Sequence, residues 1–102
     1  MAVKVIIERS MSRDKQAAVV ELLMQLRAKA MRQRGYISGE TLFSIDSPGT
    51  HVVLSTWESL NDWKAWEKSP QRTDIVKKID AMLNASGKVS VFETARFVAE
   101  GA

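Results

Sequence analysis

The stretch from Thr56 to Pro70, Thr-Trp-Glu-Ser-Leu-Asn-Asp-Trp-Lys-Ala-Trp-Glu-Lys-Ser-Pro, constrains this chain more than any other. It holds all three tryptophans and changes its period within a few residues. Up to Trp57 the residues read as a strand. From Leu60 onward, Leu60, Trp63 and Trp66 recur every three residues along one side of a short helix. Ser59 caps that helix, and Asp62 three residues on makes a capping box with Asp in place of Glu. Ser69-Pro70 closes it and opens another helix, because proline at the first helical position gives up an N–H that has no partner anyway. If the chain has a site, this segment forms one of its walls.

The other elements follow from the same two periods. Val3 to Arg9 is rich in β-branched residues and reads as a strand, with Val3, Val5 and Ile7 on one face and Lys4, Ile6 and Glu8 on the other. The second face mixes an apolar residue with charges, so Glu8 is a candidate to line a cleft. Ser12 caps a helix beginning at Arg13, with Asp14 where the dipole favours negative charge. Val19, Leu22, Leu23, Leu26 and Ala30 make its apolar stripe, while Gln16, Glu21, Gln25, Arg27 and Lys29 occupy other faces. Gly35 is the expected stop, and Met24 and Met31 are expected to fill gaps in or beside the core. Tyr36 to Ile45 is the second strand, with Ile37, Thr41, Phe43 and Ile45 on one face and Gly39 a bulge or a point of close approach. Asp46-Ser47-Pro48-Gly49 supplies the turn into the third strand, His51 to Trp57, and makes the two a hairpin. After Pro70, Ile75, Ile79, Met82 and Leu83 form a buried stripe that Asn84 to Gly87 ends. Lys88 to Val98 is the last strand, and residues 99–102 are a tail.

The order β-α-β-β-α-α-β carries no linker or repeat, so residues 1–102 are expected to be one domain with its core in about residues 2–98. Helices on one face of an antiparallel sheet give an α+β fold of ferredoxin-like type. Ile6, Leu42, Val52 and Leu54 would leave apolar surface on the sheet's other face, so a homodimer packed sheet against sheet is expected.

Composition closes several alternatives. With no cysteine there is no disulfide, thiolate metal site or cysteine nucleophile, which suits a cytoplasmic protein. No apolar run approaches the roughly 18 residues of a membrane helix, and the N-terminus lacks the pattern of a signal peptide. Fifteen basic against twelve acidic residues leave a charge of +3. Arg27, Lys29, Arg32 and Arg34 cluster where they complement a helix C-terminus. A nucleic-acid surface would interleave aromatics with them, and it does not. His51, the single histidine, has no clustered carboxylates or nucleophile elbow beside it, so no metal site is expected and His51 reads as a rim residue.

The run from Val53 to Pro70 resembles the signature of the antibiotic biosynthesis monooxygenase domain. That family shows a strand ending in Trp-Glu, a capped short helix with an aromatic residue, and a Ser-Pro-like helix start. The resemblance extends over about residues 2–98 and implies a dimeric α+β barrel with a pocket between sheet and helices in each subunit. Its haem-degrading branch pairs an asparagine on the first strand and a tryptophan on the short helix with an iron-ligating histidine on the next helix. Trp66 matches the tryptophan, but the first strand offers Ile7, Glu8 or Arg9, and no histidine follows Pro70. Haem degradation is therefore disfavoured.

The cofactor-free branch implies oxygenation of a quinone-related or other aromatic compound, with no cofactor and no metal. Trp66 and Trp63 are candidates to stack on such a ring. Asp62, one helical turn before Trp66, and its neighbour Asn61 are candidate polar groups. Arg72 or Tyr36 would stabilise an anion. The competing expectation is that the tryptophans only plug the space between helix and sheet, Asp62 only caps, and the protein is a non-catalytic dimeric binding module or stress-related accessory.

Overall fold

Alternation along the first strand puts Val3, Val5, Ile7 and Arg9 on one side, and that side becomes the interior. In a computed structural model, which describes residues 1–95, β1 (Val3–Ser10) alternates buried and more exposed residues along its length. It is followed by α1 (Arg13–Ala30), β2 (Tyr36–Phe43), β3 (Thr50–Trp57), α2 (Leu60–Glu67), α3 (Pro70–Leu83) and β4 (Lys88–Glu93). The sheet runs β2-β3-β1-β4 with every neighbouring pair antiparallel. β1 and β3 pair in the middle because the helices carry the chain across one face between β1 and β2 and again between β3 and β4. This is the expected α+β ferredoxin-like arrangement.

Two apolar clusters fill the space under the helices. Val3, Val5 and Ile7 pack with Ala30, Trp57, Trp63 and Trp66, and Met11, Val19 and Leu23 pack with Ile75 and Ile79. Leu26 touches both clusters and joins them. Ser69 holds the start of α3 by accepting the Arg72 N–H at 3.3 Å, and Asn84 ends it in the left-handed region at φ 51°.

Several boundaries differ from expectation for local reasons. α1 stops at Ala30, because Arg32 N–H and Gln33 N–H turn back to the carbonyls of Lys29 and Ala30 and tighten the chain there. Gly35 instead opens β2 at φ +84°, where its carbonyl accepts the Glu58 N–H at 2.7 Å. A Cβ on Gly35 would lie 2.3 Å from Asp62 Cγ, so the glycine lets the first turn of α2 close on the end of α1. Met24 and Met31 are 68% and 62% exposed, not core residues, because their side of α1 looks along the edge strand β2. Met82, expected in the buried stripe of α3, is 38% exposed.

β2 ends at Phe43, and Ile45 stands in the solvent-facing turn at 93% exposure. A register shift between Tyr36 and Ser38 turns Ile37 outward, which breaks the single face expected of β2. Gly39 is the point of close approach, with the Tyr36 hydroxyl 2.6 Å from where a Cβ would be. β4 runs only to Glu93, and Thr94 N–H adds one further bond to the Ala2 carbonyl at 3.2 Å. The strand expected over Arg96 to Val98 and the tail at 99–102 lie outside the described residues.

His51 is not on the rim. It is 3% exposed on the interior face, paired across from Arg9, with its ring centroid 4.4 Å from that of Phe43. Its Nδ1 is buried without a hydrogen-bond partner, and desolvation lowers its pKa from the ordinary 6.5. The unfolded chain therefore binds a proton more readily than the folded one as pH falls through 6.5. Stability should be undiminished above that pH and should fall below it, by at most about 1.4 kcal/mol per pH unit. Urea midpoints between pH 7.5 and 5.5 measure this, in a window above the ordinary carboxylate range. His51→Gln should flatten the dependence, since the chain has no other histidine.

The face away from the helices carries Ile6, Val52 and Leu54, half-buried, and Leu42 and Phe92, exposed. Lys4 crosses it to donate to Thr56 Oγ1 at 3.0 Å. Among the described residues, no helix is long and apolar enough to cross a membrane.

Candidate functional site

The last two residues of β3's interior face, Ser55 and Trp57, set the geometry of an aromatic corner that borders a cavity. Trp57 is fully buried, and its Nε1–H donates to Ser55 Oγ at 3.0 Å, one alternation back along the strand. That bond and the Tyr36 ring, edge-on at 5.4 Å and 87°, fix the indole. Trp66 from α2 then stacks on it at 6.3 Å with 25° between planes. Trp63 packs behind, 6.0 Å from Trp57 and 1% exposed.

A cavity of about 50 Å³ lies between this corner and α1, enough for a few water molecules. Ile7, Val53, Ser55 and Trp57 line it from the sheet, and Leu23, Leu26, Arg27 and Ala30 from α1. Tyr36, Gly39 and Thr41 of β2 close one side, and Trp66 and Arg72 the other.

Two guanidinium groups supply the charge. The capped first turn of α3 carries Arg72 inward, where its Cζ sits 5.3 Å from the centre of the Trp63 ring and its Nη1–H donates to the Glu67 carbonyl at 3.2 Å. Guanidinium has five N–H donors, so others remain for a ligand. Burial pulls the Arg72 pKa below its ordinary value, against the charges of Glu67 and Asp80. A guanidinium is so weak an acid that the group stays a cation at any working pH. On the opposite wall, Arg27 Nη2–H donates to Thr41 Oγ1 at 3.1 Å. Arg9, farther along β1, is also buried and lowered by desolvation and by the charge of Arg72, with Asp80 opposing. It does not line the cavity.

Of the residues singled out by sequence, Trp66, Arg72 and Tyr36 meet at this cavity, while Asp62, Asn61, Trp63 and Glu8 do not. Asp62 is turned back on its own cap: Ser59 Oγ donates to its Oδ2 at 2.9 Å and accepts its N–H at 3.1 Å. Asn61 lies on a shallow surface depression with Met1 and Lys64. Trp63 is behind Arg72, as its cation–π partner. Glu8 projects from the far face of the sheet, in register with Val52 and Lys88. Arg27, Thr41, Ser55 and Trp57 are lining residues that the sequence reading did not place there. Arg27 had a usable signal: it falls four residues after Leu23 and three before Ala30, both buried, so it shares their side of α1.

Among the described residues, the cavity wall contains no Asp, Glu, His or Lys. Flat aromatic surfaces, three hydroxyls and two guanidinium groups can hold and stabilise an anion, but they offer no carboxylate or imidazole to take a proton. His51 does not line the cavity, and among the described residues no cluster of metal-ligating side chains occurs.

The sequence model of a family described as antibiotic biosynthesis monooxygenase matches residues 2–78. No curated protein matches the sequence. Among solved structures, a conserved protein from Methanosarcina mazei Go1 superposes with a TM-score of 0.86 at 14% identity, covering 93% of this chain and 94% of that one. Rv0793 from Mycobacterium tuberculosis does so with a TM-score of 0.83 at 19% identity, covering 97% and 100%. SnoaB, a cofactor-independent oxygenase from Streptomyces nogalater, gives 0.82 at 14% identity, covering 96% and 97%. At these identities the likeness is one of fold.

Proposed function

The chain belongs to the antibiotic biosynthesis monooxygenase family, and on that premise we propose that its cavity binds a flat quinone-related aromatic as an anion and oxygenates it without metal or flavin. The carrying observation is the composition of the wall: Trp66, Trp57 and Tyr36 with Arg72 and Arg27 and, among the described residues, no carboxylate, imidazole or amine beside them. Such a wall favours a substrate acidic enough to give its proton to water and to arrive ionised. Arg72 then stabilises the negative charge of the bound anion.

For an anthrone-like CH₂ carbon the reaction balances with no added reductant. One proton leaves to water, and the carbanion passes an electron to dioxygen. The two radicals join through a new C–O bond, giving a peroxide that takes up a proton. The O–O bond then breaks as the second C–H proton departs, leaving a ketone and one molecule of water. All the electrons come from the substrate. The protein's part is to orient the ring on Trp66 and hold the anion.

Oxygen uptake with a panel of anthrones and hydroquinones tests this, read against the same compounds in buffer. Turnover should rise with pH as each substrate ionises. Quenching of tryptophan fluorescence by these compounds, with no oxygen uptake from any of them, would instead leave a non-catalytic binding protein.

The same reading includes a twofold dimer. Leu42, Phe92, Ile6, Val52 and Leu54 form an apolar surface on the sheet face opposite the cavity, and a second copy covers it with like residues. Light scattering should give twice the chain mass, and a monomer at micromolar concentration would overturn the assignment.

A further inference from the structure

We propose that Arg27 is both the gate of the cavity and its selector for anions, admitting a flat aromatic acid through the seam between α1 and β2. The inference rests on the cavity being the binding site. Val20, Met24, Arg27 and Met31 step along one side of α1 at intervals of three and four. Between that stripe and Thr41 and Phe43 of the edge strand β2 runs an open groove of about 530 Å³, with Glu40 also on its border. The groove and the inner cavity have Leu23, Arg27 and Thr41 in common, so these residues form the partition between them.

The inner space of about 50 Å³ is too small for a ring system, since ligand clefts run to roughly 300–1,000 Å³. A ligand therefore needs a seam that opens, and the α1–β2 partition is where a large groove already adjoins the cavity. One side-chain bond crosses it, from Arg27 Nη2–H to Thr41 Oγ1 at 3.1 Å. Met24, Met31 and Phe43, all more than half exposed, give the approach a soft apolar surface suited to aromatic rings.

The latch is also unequal in a useful way. Arg27 is a cation whose side-chain partner is a neutral hydroxyl, and among the described residues it forms no ion pair with a carboxylate. An arriving carboxylate or phenolate offers the guanidinium a full opposite charge, and a carboxylate can accept two parallel N–H bonds where the hydroxyl accepts one. Exchanging Thr41 for the ligand releases the latch, and the ring passes inward towards Trp66 and Arg72. A neutral ring of the same shape gains nothing from the exchange.

Stopped-flow quenching of tryptophan fluorescence with 1-hydroxy-2-naphthoate and its neutral amide, 1-hydroxy-2-naphthamide, tests this. The protein should prefer the naphthoate. Arg27→Met should cut the preference ratio about tenfold or more, and Arg27→Lys, which keeps the charge, should restore most of it. Thr41→Val should speed association of both probes several-fold and keep the ratio. An unchanged ratio in Arg27→Met, a lysine variant as poor as the methionine one, or unaltered rates in Thr41→Val would each overturn the proposal. If both probes bind the native protein and the ratio survives Arg27→Met, the cavity stands and the gate falls. If neither probe quenches, the cavity reading falls and takes the gate with it.

Discussion

Arg72→Met is expected to lower kcat/KM for an ionising anthrone by about 10²- to 10³-fold, the loss seen when a preorganised oxyanion donor is removed. Arg72 is the buried cation that shares the cavity wall with Trp66, and its position is held at three points: the Ser69 cap, the Glu67 carbonyl and the Trp63 face. Methionine keeps length and apolar contact over Trp63 while removing the charge. The fold should survive, because exchanging a desolvated cation for an apolar chain of similar shape is often neutral. The variant's rate should also need a higher pH, since the bound substrate's anion loses its counter-charge and its pKa rises. Kinetic constants across pH, set beside urea midpoints, separate the two roles. A rate within about threefold of the native protein, in a folded variant, would falsify the assignment of anion stabilisation to Arg72.

The second large effect is on stability. Trp57→Ala should cost about 3–5 kcal/mol, a large part of the roughly 5–15 kcal/mol that holds a domain folded. Trp57 is fully buried and contacts Tyr36, Trp63 and Trp66 at once, so no one neighbour can relax into the space it leaves. Trp57→Phe should lose much less, because a ring remains between Tyr36 and Trp66. Urea denaturation measures both. A loss below about 1 kcal/mol in the alanine variant would mean that the aromatic corner does not depend on this indole.

Three of the seven residues that the sequence singles out line the cavity, and the other four lie elsewhere for identifiable reasons. Trp66, Tyr36 and Arg72 reach the cavity, each from an element whose type was plain. Asp62 was drawn to the site by its spacing from Trp66, but the cap three residues away competes for the same carboxylate and keeps it. Glu8 was ambiguous because β1 is a central strand with two faces, and only the side on which the helices pack decides which face encloses a cavity. Arg27 went unnoticed because its charge suggested solvent, although its spacing from Leu23 and Ala30 pointed inward. Met24, Met31 and His51 erred in complementary directions. The methionines are apolar and lie outside the core, whereas the histidine is polar and lies within it.

Local chemistry was enough for the element order, the caps at Ser59 and Ser69, the hairpin at Gly49 and the family signature from Val53 to Pro70. Each of these depends on residues within a few positions of one another, so periodicity and capping report them directly. Which side chains share a cavity depends on contacts across the whole chain: α1 against β2, α2 against β3, and a register shift at the start of β2 that sets Ile37 outward. Those contacts are chosen by the fit of whole faces to one another, and no local pattern carries that information. The tertiary structure alone thus joined Arg27 to Thr41 and set Arg72 on the same cavity wall as Trp66.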